Sequence, residues 1–530
     1  MNRVALSTTL SFVVLASLLG CTGSRPVTSP DIGDRTSQYF TTPVPLFGTG
    51  FHDIDLGAIV AGPGTAWYGI PVTVGVQTDV AVSINRMNSG IPPLFKPMYR
   101  WLATGGPSSN PQYIPLRENP NLNAYADYRF PKCAAAVFDC YSDPYNQFVE
   151  VAVCYQITGI EGSMNEWDVG LTIMRWHLEE SSFPTGPPDV RFDIVLPDTA
   201  SGLDELHPDV AYEPYTGDVY VVYEDVQSAS PGTPVYLKYR RFDRNPDNHE
   251  QFTNYNPPTY PTEVDAQPQT HNGYTPCIDI GWVDYGQNAV EWVAIVYTSQ
   301  YLVDGNEDMM NGYVVCCSAF QPVDPYTLSN FPLRNPAFYW NGAGLPSVDL
   351  SPRYDGQPHF GACAFVQEDG QDGYGPIVNV YEIDTFDFDR FTLISRDISN
   401  LNPNQNIADG LYPSIMVHYD PYDEFRLASI TYMAQQPETQ TLRPRVVRLS
   451  LAPEGYPNPW PPLANDFLDP DNLNLTISGN YNLSQIPFIE PGVSTAIALG
   501  TDIYWAAWCD RIEMEDPPLL VWGAYGNSVL

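Results

Sequence analysis

Positive charge is scarce in this chain: 24 Lys and Arg stand against 62 Asp and Glu over 530 residues, a formal net charge of −38. Nucleic-acid binding rests on neutralising phosphates with basic side chains, so the balance argues against a nucleic-acid partner. The same charge repels anionic glycans and lipid head groups at low salt, and an acidic surface of this kind keeps an exported protein soluble. Motifs that carry chemistry are missing too. There is no Gly-rich phosphate loop, HExxH, GxSxG elbow or CxxC, which removes the signatures of phosphate-loop, zinc-peptidase, α/β-hydrolase and dithiol chemistry. The seven histidines, His52, His177, His207, His249, His271, His359 and His418, are scattered, with no pair at metal-ligand spacing. Acidic clusters at Asp304 to Asp308, at Asp384, Asp387 and Asp389, and at Asp466, Asp469 and Asp471 offer hard oxygen ligands, yet none has the spaced Asp/Asn and glycine of a calcium loop. No cofactor or metal is therefore implied, and calcium is the one ion the composition would suit.

What the chain does have is a repeated hairpin. In LHPDVAYEPYTGDVYVVYED, Leu206 to Asp225, a short strand around Val210 and Tyr212 is followed by a turn and then by a β-branched and aromatic run from Asp218 to Tyr223. Pro214 presets φ for the turn and Gly217 supplies a permissive position after it. Variants of this stretch open at Pro131, Pro208, Pro276, Pro346, Pro413 and, in degenerate form, Pro491, at spacings of 67 to 78 residues. A long, nearly fixed period marks stacked supersecondary units. Each hairpin is followed by a third alternating run, at 169–178, 234–242, 313–320, 377–386, 445–451 and 519–525. A weaker fourth strand before the next proline would complete a four-stranded propeller blade.

One period before Pro131 falls near Ile59, so residues 45–130 form a candidate seventh unit. The sixth copy stops just after its third strand, which leaves Tyr39 to Phe47 to pair there and close the ring. Closure matters because an open ring would expose two sheet edges to other chains. The expected architecture is an all-β, seven-bladed β-propeller at 39–530, with a six-bladed ring carrying an N-terminal β appendage as the alternative. Seven periods account for nearly all of that span, so no second domain is required.

Residues 1–20, MNRVALSTTLSFVVLASLLG, carry one charge at Arg3 and then an uncharged run too short for a membrane span, which reads as an export signal. Leu18-Leu19-Gly20-Cys21 resembles the lipobox of bacterial lipoproteins. That resemblance implies cleavage before Cys21, a diacylglycerol on its thiol and an acyl chain such as palmitate on its amine, together enough for stable membrane anchoring. Residues 21–38, rich in Ser, Thr, Pro and Gly near their start, read as a tether. Thr22 is not the aspartate that favours inner-membrane retention in that family, so the expected address is the cell envelope, at the outer membrane.

Eight further cysteines would lie in a compartment that tolerates disulfides. With a turn centred on Ser142 to Tyr145, Cys133 and Cys154 fall opposite each other, so a cross-strand bridge competes with free core thiols as their explanation.

In a four-stranded blade, the loop entering the first strand and the loop leaving the second share one rim. His207 and Asp209 lie at a first-strand entrance, while Glu224 with Asp225, Glu368 with Asp369, and Asp510 lie at second-strand ends. These residues form the candidate rim site. Paired carboxylates there would bind a cation or a basic partner, or act as acid and base on a glycosidic bond if about 5–9 Å apart. Charged strand ends facing water are the competing reading.

The hairpin signature, P-x-h-x-h (h, hydrophobic), a DP-type turn, then an apolar strand ending in ED, resembles the repeats of the sialidase-like (BNR) propellers of bacterial exported proteins. The S-x-D-x-G-x-T-W box of that group is absent, and Arg129, Arg240, Arg241, Arg353 and Arg511 supply no assignable carboxylate-binding trio. A shared fold does not carry its chemistry with it. The expected function is binding or scaffolding at the envelope, with the membrane reached through lipid and an envelope protein or glycan as ligand. The alternative is a glycan-acting hydrolase or lyase that uses Glu224, Asp225, Glu368 and Asp369.

Overall fold

The computed structural model describes thirty strands together with the connections 108–111, 114–115, 166, 186–188, 196, 204, 213, 216–218, 243–245, 247–248 and 250–252. Two units are separable, Met1–Gln38 and Tyr39–Leu530, and every described residue belongs to the second. The lipobox and Cys21 therefore lie outside the described residues.

The described chain is all-β. In order come β1 (Val44–Phe47), β2 (Phe51–Ala61), β3 (Gln77–Arg86), β4 (Phe95–Ala103), β5 (Gly106–Pro107) and β6 (Gln112–Tyr113). Next are β7 (Leu122–Cys140), β8 (Asp143–Ile160), β9 (Trp167–Leu178) and β10 (Asp189–Val195), then β11 (Glu205–Tyr212), β12 (Val219–Val226), β13 (Val235–Phe242) and β14 (Thr262–Glu263). They are followed by β15 (His271–Tyr285), β16 (Asn288–Tyr301), β17 (Tyr313–Phe320), β18 (Ser329–Phe331), β19 (Ala343–Leu350), β20 (Gly361–Glu368), β21 (Pro376–Ile383) and β22 (Leu393–Asp397). The last are β23 (Gly410–Asp420), β24 (Phe425–Gln435), β25 (Thr441–Leu451), β26 (Ala464–Phe467), β27 (Leu475–Thr476), β28 (Thr495–Leu499), β29 (Ile503–Asp510) and β30 (Leu520–Asn527).

These strands form antiparallel meanders, β11 to β14, β15 to β18, β19 to β22 and β23 to β26, each hydrogen-bonded in chain order, with β27 added beside β25. The first two groups, β2 to β5 and β7 to β10, join into one nine-stranded sheet because β2 pairs in parallel with β7, Ile59 opposite Ala135. The last group, β28 to β30, takes β1 as its fourth strand, with Val44 opposite Gly523. Arg100 of β4 reinforces that junction by donating from Nη1 to the carbonyls of Pro45 and Leu46. The first strands also touch one another in cyclic order, β2, β7, β11, β15, β19, β23, β28 and back to β2. The arrangement is propeller-like, and the cores lie between successive sheets.

The organising hairpin forms where the residues demand it. The turn after β11 closes with Gly217 N–H donating to the Glu213 carbonyl at 2.9 Å and Glu213 N–H to the Asp218 carbonyl at 2.8 Å. Gly217 sits at φ 76°, a left-handed conformation that L side chains rarely adopt. Arg244 then pins the turn, donating from Nε to the Gly217 carbonyl at 2.8 Å and from its backbone N–H to Asp218 Oδ1 at 2.6 Å.

Arg244 reaches further, into a charged knot between the sheets of β7 to β10 and β11 to β14. Glu150 accepts Arg175 Nε at 2.8 Å through Oε1 and pairs with Arg244 Nη2 through Oε2. Both side chains of the Arg244–Glu150 pair are fully inaccessible, and that of Arg175 is 1% exposed. The guanidiniums lie over aromatic faces, Arg175 on Phe148 and Arg244 on Phe138, each 4.1 Å from the ring centre. Burial would raise the Glu150 pKa, but the charges of Arg244 and Arg175 outweigh it and hold the carboxyl below its ordinary value.

Five repeats also carry one irregularity at the same place. Phe130, His207, Thr275, Leu345 and Tyr412, each immediately before an opening proline, adopt φ between 46° and 53°. A register shift coincides with each, as between Leu206 and Asp209. A residue before proline ordinarily stays extended, and non-glycine residues seldom enter this region. Five recurrences make it an architectural device that re-aims the inner strand.

One register expectation is corrected. Cys133 lies opposite Val153 and Cys154 opposite Lys132, and both cysteines are free thiols. The one-residue slip sends the two side chains to opposite faces of the sheet. Cys133 packs in the core with Val151 and Trp176, whereas Cys154 packs with Val210 and Tyr223.

Candidate functional site: a polar axis

Beyond Pro131, Pro276 and Pro346, the inner strands alternate. On β15 Cys277 and Asp279 are partly exposed while Ile278 and Ile280 are buried, and on β19 Ser347 and Asp349 are partly exposed while Val348 and Leu350 are buried. Lys132 and Ala134 on β7, Asp55 on β2 and Ser414 on β23 continue the pattern. With a period of two, the apolar positions fill the cores between sheets and the polar ones share the opposite face, toward the centre of the cyclic contacts.

The inner strands run beside one another with little direct pairing, so backbone N–H groups on each need other acceptors. Polar side chains of the preceding strand supply them. Cys133 N–H donates to Asp55 Oδ2 at 2.8 Å, Ile278 N–H to Asp209 Oδ2 at 2.9 Å, Leu350 N–H to Asp279 Oδ2 at 2.5 Å and Val417 N–H to Asp349 Oδ2 at 2.5 Å. Hydroxyls do the same, Ile415 N–H donating to Ser347 Oγ at 3.1 Å at the β19–β23 seam and Ile497 N–H to Ser414 Oγ at 3.2 Å at the β23–β28 seam.

Among the described residues Lys132 places a cation on this face. Its Nζ lies 3.5 Å from Asp55 Oδ1, and its side chain is 40% exposed. Partial desolvation would lower its pKa, but the charges of Asp55 and Asp209 prevail and raise it. Asp209 is itself raised, by burial first and the Asp55 charge next, with Lys132 working against the rise. Asp279 and Asp349 lie together, since Asp279 Oδ2 accepts the N–H of Leu350, the residue next to Asp349. Burial is the main force pushing the Asp279 carboxyl up to about 7, against the N–H groups of Leu350 and Ile280. Burial and the charge of Asp279 push Asp349 up as well.

The rim residues singled out in the sequence fall as follows. His207 Nδ1 lies 2.7 Å from Glu224 Oε1, its N–H donates to Gln156 Oε1 at 3.1 Å, and its ring packs against Phe130. Glu224 also accepts the Thr275 N–H at 2.5 Å and is 2% exposed. Asp225, likewise 2% exposed, is ion-paired with Lys238. Asp209 points to the axis. His207, Glu224 and Thr275 thus meet at one seam, with Asp225 beside them on β12. Glu368 ends β20 opposite Pro376 and Asp510 ends β29 opposite Leu520. Their side chains, like the whole of Asp369, lie outside the described residues. Among the described residues no group of three or more His, Cys, Asp or Glu is arranged to hold a metal ion.

The axial residues Asp55, Lys132, Cys277, Asp279, Ser347, Asp349 and Ser414 were not singled out from the sequence. For all but Asp55, which no proline precedes, the signal was the x of P-x-h-x-h, the positions alternating with the buried ones.

No family model matches this chain, and no curated protein does. Solved structures similar to it include the Hadza microbial sialidase Hz136, at TM-score 0.39 and 9% identity over 82% of this chain and 74% of that one. The hemagglutinin-neuraminidase ectodomain of parainfluenza virus 5 matches at TM-score 0.39 and 9% identity over 99% of this chain and 96% of its own. An N-acetylgalactosamine deacetylase from F. plautii matches at TM-score 0.31 and 10% identity over 93% and 96%. Likenesses this distant add nothing to the reading of the site.

Proposed function

We propose that the chain is a seven-bladed β-propeller, tied to the outer membrane by lipid on Cys21, that binds or scaffolds a partner at the cell envelope. The count of seven is supported by the cyclic contacts of seven first strands, with the parallel β2–β7 pairing fusing two blades into one sheet and β1 completing the last. The observation that carries binding over catalysis is the state of Glu224 and Asp225. Each is 2% exposed and engaged by neighbours, Glu224 by Thr275 and His207 and Asp225 by Lys238, so neither is free to meet a glycosidic bond.

Two experiments test the proposal. Growth with a labelled fatty acid is expected to label the wild-type chain and not Cys21→Ser, and equal labelling of both would remove the anchor. Capture of envelope components by the detergent-solubilised chain is expected to return a discrete ligand at physiological salt. An empty capture together with turnover of any member of a polysaccharide panel would replace binding with glycan chemistry.

A further inference from the structure

Asp279 and Asp349 occupy the same place in adjacent repeats, three residues beyond Pro276 and Pro346, on inner strands β15 and β19 that touch each other. Asp279 Oδ2 accepts the N–H of Leu350, the residue next to Asp349, at 2.5 Å, which brings the two carboxyls together. Two ionised carboxylates brought together repel each other and neither can donate a hydrogen bond, whereas a proton on one lets it donate to the other. Each also holds the next strand by its Oδ2, Asp279 clamping the Leu350 N–H and Asp349 the Val417 N–H. The two clamps therefore tie three consecutive inner strands, β15 to β19 and β19 to β23, through neighbouring carboxyls.

We propose that Asp279 and Asp349 share one proton in the folded protein and act as a proton-operated latch, so that losing the proton loosens the seams from β15 to β23. With the proton gone, two negative charges sit in contact in a partly desolvated place, and repulsion opposes the geometry that clamps Leu350 and Val417. The surrounding charges do not relieve this. From β11, Asp209 faces Asp279 and adds like charge. Lys132 of β7 faces Asp55 of β2, Asp209 and the Cys277 thiol, and is engaged with them. On β23, the equivalent register positions hold Ser414 and Met416, neither of which titrates.

The carboxyl of Asp279 is raised from 3.8 to about 7 and that of Asp349 also stands above its ordinary value, so the transition falls near neutrality. A raised folded-state pKa makes the folded protein hold its proton more tightly than the unfolded chain does. The latch is thus complete at acid pH and is lost as pH rises through about 7.

Hydrogen exchange of the full chain in detergent, corrected for the intrinsic rise of exchange with pH, tests this. Between about pH 6 and about pH 8.5, protection of the Leu350 and Val417 amides is expected to fall about tenfold. Ile497, held by the non-titrating Ser414 hydroxyl, is expected to keep its protection. In Asp349→Asn the amide can donate to Asp279 without a proton, and protection at Leu350 is expected to lose its pH dependence. A parallel fall at Ile497, or an unchanged pH dependence in Asp349→Asn, overturns the latch. If the variant does not fold, the wild-type contrast of Leu350 and Val417 against Ile497 decides.

Discussion

Acids at two places in this molecule, one buried and one partly exposed, are kept in opposite ways. Glu150, between the sheets of β7 to β10 and β11 to β14, is neutralised by two guanidiniums that also stack on Phe138 and Phe148. Asp279 and Asp349 meet each other on the axis, with no cation in contact among the described residues and only a proton to reconcile them. Burial penalises the charge at both places. At Glu150 the arginines outweigh the penalty and push the pKa down, while on the axis it stands and pushes the pKa up. The knot stabilises the fold as a charge, and the pair does so as a shared proton.

The largest effect is expected from breaking the knot. Glu150→Ala strands Arg175 and Arg244 without their buried counter-charge, which costs about 3–5 kcal/mol in urea unfolding. The comparison sharpens with pH. Because the Glu150 pKa is depressed on folding, its contribution is present above the unfolded value near 4.5 and lost as pH falls. Glu150→Gln is expected to flatten the acid limb of the stability profile and leave the alkaline limb alone. The axial pair behaves in reverse. Asp349→Asn is expected to flatten the decline above neutrality, gaining roughly 1–2 kcal/mol over wild type at about pH 9. The smallest effect concerns the bulge. His207 at φ 46° donates or accepts at Glu224 and is strained, so His207→Ala is expected to cost about 1 kcal/mol in the same assay and His207→Gly less, since glycine accepts the left-handed backbone.

The repeat was legible because its signals are local. Prolines 131, 208, 276, 346 and 413 each sit within an inner strand, and the third alternating runs fall on β9, β13, β17, β21, β25 and β30. Hydrophobic alternation and turn chemistry determine those features residue by residue. The acids were harder to read. Glu224 and Asp225 look like solvated strand ends in sequence, yet Glu224 is claimed by Thr275 in the next repeat, 51 residues away. Asp279 and Asp349 are separated by a whole repeat and become neighbours only because successive inner strands touch. The Cys133 and Cys154 register turned on a single bulge, which no propensity near the turn announces.

The shared proton is most directly seen by infrared spectroscopy of the wild-type chain across neutrality. A carbonyl band of a protonated carboxylic acid is expected at about pH 6 and should be gone by about pH 9, with no such band in Asp279→Asn/Asp349→Asn. A wild-type spectrum with every carboxyl ionised at about pH 6 would contradict the account.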